Sequence, residues 1–326
     1  MSSTSAVPAG IKEKRGASSS ALEPVGVRTH RFLSSVPTVV LWVLVFLWTL
    51  PTVGLLVNSF RPRRTQLTTG WWTAFKTGDL TLDNYRQAVF DPPGGFISFG
   101  RAVVNSFAIA IPATVVPILM AAAAAYAFAW IPFKGRSWIF IGTVTLMAIP
   151  LQMAFVPLLQ LYNGGAHLTL FGTTIPLFPD LNLVNKPISV WLTHTAFGLP
   201  LAIFLLHNYI SSLPGDVFEA ATIDGANHFG IFWRIVLPLS KPALAAFAIF
   251  QFLWVWNDYL VALIFLSQNT NASPLTIQLV NLVTSRGQGT ELLPAAAFVS
   301  IIVPLIIFFS LQKYFVRGLL AGSVKG

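Results

Sequence analysis

Six apolar runs dominate the chain, at about 36–60, 103–130, 137–162, 187–210, 242–267 and 293–315, each near or above the ~20 residues that a helix needs to cross a bilayer. They predict an all-α fold, a polytopic membrane bundle of about six transmembrane helices. Composition agrees: 55% of the 326 residues are hydrophobic and 10% are charged, well outside the soluble range. The mean hydropathy is +0.71. There is no cysteine, which excludes disulfide frameworks, thiolate metal sites and Cys nucleophiles. The net charge of +9 comes mostly from basic residues that flank apolar runs, where they set topology more often than they bind phosphate. Nucleic acid is therefore not expected as a partner.

Residues 1–31 are rich in Ser, Ala, Gly and charge, without apolar periodicity, and predict a disordered cytoplasmic tail. The run from Val36 to about Phe60 is too long for a signal-peptide core and lacks an evident small-residue cleavage site, so it is expected to stay as the first span. The expected organisation is thus a tail 1–31, a membrane domain 32–316 with an external loop 61–101 and a cytoplasmic segment 211–241, and a cytoplasmic tail 317–326. An even number of spans puts both termini on one side. The basic N-terminal tail with Lys313, Arg317 and Lys325 assigns that side to the cytoplasm, and Lys134–Arg136 then falls inside too. The loop 61–101 runs against this rule, with Arg61, Arg63, Arg64, Lys76, Arg86 and Arg101 outside; at ~40 residues it approaches the length at which loops translocate with less regard to charge. Prolines lie within several spans, at 112, 117, 150, 157, 200 and 304. Membrane bundles tolerate them as kinks because neighbouring groups satisfy the freed carbonyls.

The segment 211–241 is too polar to span, with Asp216, Glu219, Asp224, Asn227, Arg234 and Lys241. Pro214 and Asp216 predict a helix start, with Asp216 as N-cap and Glu219 at the third helical position, the spacing of a capping box. Gly225 allows the chain to leave that helix through a left-handed residue, and Pro238 restricts the residue before it. The expected product is two short helices at an angle. Such an elbow has the shape needed to dock in a cleft on a moving partner. Ala220 and Ala221 keep its surface slim, and Glu219 is placed to pair with a partner's Arg or Lys. A capping carboxylate on an ordinary connector is the plainer alternative.

The pattern Glu219-Ala220-Ala221, then Asp224-Gly225, then Leu237-Pro238 resembles the coupling segment of bacterial ABC importer permeases. Further matches point to the carbohydrate importers of the maltose-transporter type: Thr81-Leu82-Asp83-Asn84-Tyr85, Asn105-Ser106, Ala124-Ala125-Tyr126-Ala127-Phe128-Ala129 followed by Phe133-Lys134-Gly135-Arg136, Trp256-Asn257-Asp258, and the terminal Gly318 to Gly326. The similarity extends from about Thr38 to the C-terminus, and the loop Thr68 to Phe75 looks like that of α-glucoside permeases. The resemblance implies the type I importer permease fold in a bacterial inner membrane. It also implies a second homologous permease, two ATPase subunits that bind ATP and Mg, an external solute-binding protein and a di- or oligosaccharide substrate. The chain itself is then a channel-forming subunit and not an enzyme, with no cofactor or metal of its own. A second ATPase contact is implied through Gly322, Lys325 and Gly326, although Leu320 departs from the Thr or Ser usual before the family's Ala-Gly.

Candidate substrate-pathway residues are the polar groups within spans. Gln251, Trp254, Asn257 and Asp258 recur at three- and four-residue spacings and are expected on one helix face. An aromatic plane beside amide and carboxylate suits a sugar; hydrogen bonding between helices is the alternative, equally open for Asn257 and preferred for Asp258. Gln152 and Gln160 face the same choice, and His194, one turn from Trp191 and Gly198, reads as a packing residue. A competing function is a self-sufficient, ion-coupled secondary transporter with Asp258 as its proton or sodium site.

Overall fold

The computed structural model describes residues 37–92, 97–171, 173–266, 269–284 and 289–321. The expected tail 1–31 and the contact residues Gly322, Lys325 and Gly326 lie outside the described residues. The chain divides into units 1–53 and 54–326, a boundary that falls within the first helix. In the first unit, residues 38–53 form the start of that helix, and its apolar side chains, among them Trp42 and Trp48, are exposed.

The long helices are α1 (Thr38–Ser59), α2 (Phe99–Trp130), α3 (Arg136–Thr145), α4 (Phe155–Gly164), α5 (Pro187–Ile210), α6 (Gly215–Ile223), α7 (Lys241–Trp256), α8 (Leu260–Leu266), α9 (Leu275–Thr284) and α10 (Leu293–Ala321). Among the described residues four helices, α1, α2, α5 and the stretch Thr290–Ser310, are long and apolar enough to cross alone; two bent pairs bring the number to six. The all-α membrane bundle expected from the apolar runs is therefore present. Its last helix continues to Ala321, past the boundary expected at residue 316.

The two bent pairs differ from the continuous spans expected. Between α3 and α4 the axis turns by 99°. Ile149 is extended, at φ −81° and ψ 123°, the conformation that a following proline favours, and the helix stops there. By contrast Pro112, Pro117, Pro200 and Pro304 all lie inside unbroken helices. The fifth run does not continue to residue 267: α7 ends at Trp256, Asn257 caps it, and α8 starts afresh at Leu260. At its other end α7 meets the preceding helical stretch His228–Leu239 at 74°.

Helices α2 and α5 run side by side in the same direction, as two bonds show. The Trp191 indole N–H donates to the Ala108 carbonyl at 3.0 Å, and the Trp130 indole N–H to the Ile210 carbonyl at 3.0 Å. Ala110, Ala113, Ala121, Ala122 and Ala125 are fully buried along α2, and small side chains let helix backbones approach closely in a membrane.

At the Phe99 end the loop after α1 is a knot of short helices. Arg61 is 1% exposed. Its guanidinium donates to Asn58 Oδ1 (2.9 Å), the Thr65 carbonyl (2.9 Å), the Thr69 carbonyl (3.2 Å) and Thr73 Oγ1 (3.3 Å). Asn84 is buried and donates to the carbonyls of Ser59 and Arg61, while the Tyr85 hydroxyl lies 2.7 Å from Ser59 Oγ. Arg63 pairs with Glu291 at 3.2 Å. Two of the six basic residues that ran against the positive-side rule thus serve internal bonds. A two-stranded antiparallel hairpin, β1 (Ala166–Leu170) and β2 (Thr173–Phe178), follows α4 and was not expected from the apolar runs.

Candidate functional site

The polar segment forms the elbow at the Trp130 end of α2. Helix α6 starts at Gly215 behind Pro214, and no side chain caps it. The expected capping box is absent: Asp216 lies inside the first turn, where its charge complements the helix dipole. With no capping duty, Glu219 is exposed, as are Asp216, Ala220, Asp224 and Gly225. The opposite side of α6 is anchored by buried Phe218 and Ala221. Ala221 therefore serves the inner side rather than the docking side.

Gly225 has φ +76°, the left-handed conformation expected of it, and a Cβ there would meet no other atom. The Ala226 N–H donates to the Ala221 carbonyl, and Asn227 caps the next arm by accepting from the Gly230 N–H at 2.8 Å. That second arm runs through Phe232–Val236 as a π-turn into Leu237–Leu239. Pro238 does not force an extended residue before it; Leu237 is right-handed helical at φ −61°, ψ −46°. The wider turn accommodates the proline, whose nitrogen has no hydrogen to donate. Leu237 is half-buried and Pro238 exposed.

Both arms rest on the last turns of α2. The Trp130 ring stacks on Phe218, centroids 4.1 Å apart and planes at 21°. Tyr126 faces Phe218 at 6.5 Å, Phe232 at 6.0 Å and His228 at 6.1 Å, and its hydroxyl shares a hydrogen bond with His228 Nδ1 at 3.0 Å. Sequence reasoning singled out Ala124 to Ala129 as a resemblance but gave Tyr126 no contact, because nothing local ties residue 126 to residues 218 and 228.

The proposed sugar-binding face does not hold together as one surface. Gln251 is fully buried and donates from Nε2 to the Ala113 carbonyl at 3.1 Å. It fills the space beside Gly198, where a Cβ would come within 2.7 Å of Gln251 Oε1. Trp254 is half-buried and lies edge-on to His194, centroids 5.5 Å apart. Asn257 is exposed and its amide donates to the Leu253 carbonyl. Asp258 sits beyond the end of α7, where its carboxylate accepts the N–H groups of Val261 (3.4 Å) and Ala262 (3.1 Å) and so caps α8. His194 is fully buried on α5 with its Nε2 3.6 Å from Asp258 Oδ2, an ion pair only if the ring is protonated. Gln152 and Gln160 are exposed on the α3–α4 limb.

Known proteins resemble this chain along most of its length. Residues 113–320 match the family described as binding-protein-dependent transport system inner membrane component. The osmoprotective compounds uptake permease protein GgtD of Synechocystis sp. is 51% identical over 284 residues, 86% of this chain and 88% of that one. The alpha-glucoside transport system permease protein AglG of Rhizobium meliloti is 52% identical over 257 residues, 78% of this chain and 63% of that one. In fold, the chain matches a crystal structure of a bacterial ABC transporter involved in the import of the acidic polysaccharide alginate, with TM-score 0.66 and 21% identity over 88% of this chain and 98% of that one.

Proposed function

Since the chain belongs to the family of binding-protein-dependent transport system inner membrane components, we propose that its elbow, residues 215–239, is the surface through which a partner ATPase drives it. The chain is a membrane permease of an ABC importer for sugars, a channel subunit and not itself a hydrolase. The observation that carries the coupling reading is the two-sided elbow. Exposed Glu219 stands on a short helix and exposed Asp224 at its end, and the other side of that helix is fixed by Phe218 and Ala221, so a push on the carboxylates is delivered to the bundle. In this reading two ATPase subunits hold ATP and Mg, and their closure is the two-state element that the elbow follows. A second homologous permease completes the pathway. An external binding protein delivers the sugar, and both termini face the cytoplasm of a bacterial inner membrane. The tail residues Gly322, Lys325 and Gly326 make the second ATPase contact.

For the substrate we propose a di- or oligosaccharide of the α-glucoside class, on the strength of the identity with AglG. Exposed Asn257 and Gln152 are then the candidates of this chain for the pathway shared with the second permease, while buried Gln251 and helix-capping Asp258 position the helices around it. The ion-coupled alternative loses support, because the carboxylate it needs already accepts two backbone N–H groups.

Glu219→Lys tests the reading. The variant is expected to insert normally, to lose the co-purifying ATPase, and to abolish uptake of maltose, trehalose and sucrose by cells that express the assembled importer. Undiminished uptake by the variant, or parent uptake that survives ATP depletion and collapses with the proton gradient, would sink it.

A further inference from the structure

We propose that α2 is the rod that carries motion of the elbow to the far end of the bundle, gripped at one end by Tyr126 and Trp130 and linked at the other by Asn105 and Ser106. The proposal rests on the coupling reading above and adds a path to it.

Three observations meet in this helix. First, Tyr126 is in ring contact with both arms of the elbow, with Phe218 of α6 and with His228 and Phe232 of the second arm, and it is hydrogen-bonded to His228. Trp130 adds the closest ring stack on Phe218 and ties the end of α5 through the Ile210 carbonyl. The two arms are joined by a glycine turn with φ +76°, a joint that alone would let them swing separately. Ring contacts from one residue to both arms remove that freedom. Second, α2 is unbroken from Phe99 to Trp130 despite two prolines, 32 residues or about 48 Å at the helical rise. The spans formed by α3–α4 and by the second arm with α7 bend by 99° and 74°, so a displacement entering them is not passed straight along one axis. Third, the far end of α2 is bonded to a segment remote in sequence. The Asn105 amide donates to the carbonyls of Asn271 (2.8 Å) and Ser273 (3.0 Å), and Ser106 Oγ accepts the Leu275 N–H at 2.9 Å. Those bonds hold the start of α9. The elbow, α2 and the 271–275 segment therefore form one mechanically continuous piece.

Adjacency alone does not establish transmission; a shared displacement does. The chain has no cysteine, so two can be introduced, and it can be spin-labelled without background of its own before assembly with its partners. We would place them at exposed Ala226 on the elbow and at Val104, 64% exposed on the far end of α2, in the complete complex with its partner permease and ATPases. The distance is read by pulsed electron paramagnetic resonance, nucleotide-free and trapped with ATP and vanadate.

If the rod is rigid, the distance holds on trapping to within about 2 Å, the scale of a helix shift at a packed interface. In Tyr126→Ala it is expected to change beyond that scale, because the elbow then moves without α2, while the ATPases stay bound through Glu219. Should Tyr126→Ala fail to assemble, Tyr126→Phe combined with His228→Ala, which removes the hydrogen bond and one ring contact, gives the same reading. A shift in the parent protein on trapping, or no shift in any Tyr126 variant, overturns the proposal. Glu219→Lys separates the two levels: if that variant retains its ATPases the coupling reading has failed, and if it loses them while the Tyr126 result is negative only the rod has failed.

Discussion

Arg61 shows what a single residue can conceal from a sequence reading. It counted as one more basic residue on a loop that was expected to face outward, yet it is almost fully buried, with its fork spent on three loop turns and Asn58. Burying a guanidinium is tolerated only where its donors find partners, and truncation leaves those acceptors orphaned. Arg61→Ala is expected to lower stability by on the order of 3 kcal/mol, read as an earlier thermal transition of the purified protein in detergent. Arg61→Lys should recover less than half of it, since an ammonium cannot span the fork. An unchanged transition in Arg61→Ala would show that the knot does not depend on this side chain. Other residues were legible. Gly225 announced its left-handed turn because no other residue type adopts it so readily, and the elbow's acidic residues stood out by charge in an apolar chain. Asp216 was misread because a cap and a first-turn carboxylate look alike in sequence.

At the scale of elements, long runs without a break signal, such as those of α2 and α5, were read correctly, prolines included. The third and fifth runs were not. Hydropathy reports only that a stretch is apolar, and a bend such as that at Ile149–Pro150 keeps it so. The hairpin was overlooked although Leu168 and Leu170 alternate with His167 and Thr169, because five residues of period two are a weak signal beside helical runs of twenty. The joint between the elbow arms gives the prediction at this scale. Gly225→Val would force a β-branched residue to φ +76°, a cost of about 1–2 kcal/mol. The first arm would tilt away from its partner. ATPase co-purification is expected to drop sharply in Gly225→Val and to be largely kept in Gly225→Asn, which tolerates that conformation. Equal retention in both would mean that the angle of the elbow is not what the partner recognises.

For the whole molecule, the order of spans could be counted from the sequence, whereas the packing partners of each span could not, since every apolar face looks alike to lipid and to protein. The count makes a prediction about sidedness. The hairpin and the elbow lie one span apart in the chain, so they belong on opposite faces of the membrane. In the cysteine-free parent, Thr174→Cys should react with a membrane-impermeant maleimide added to right-side-out vesicles, and Ala226→Cys only after permeabilisation. The reverse pattern would invert the topology.

The helices also differ in length by a factor with its own consequence. At the helical rise α7 is about 24 Å long and α2 about 48 Å, against a hydrocarbon layer of about 30 Å. Neither length by itself matches that layer. The helical segments at the two ends of α7 make up the rest of its crossing, and α2 must tilt or stand proud of the surface. The acyl-chain length of the surrounding lipid thereby becomes a term in the energy of every conformation that changes that tilt.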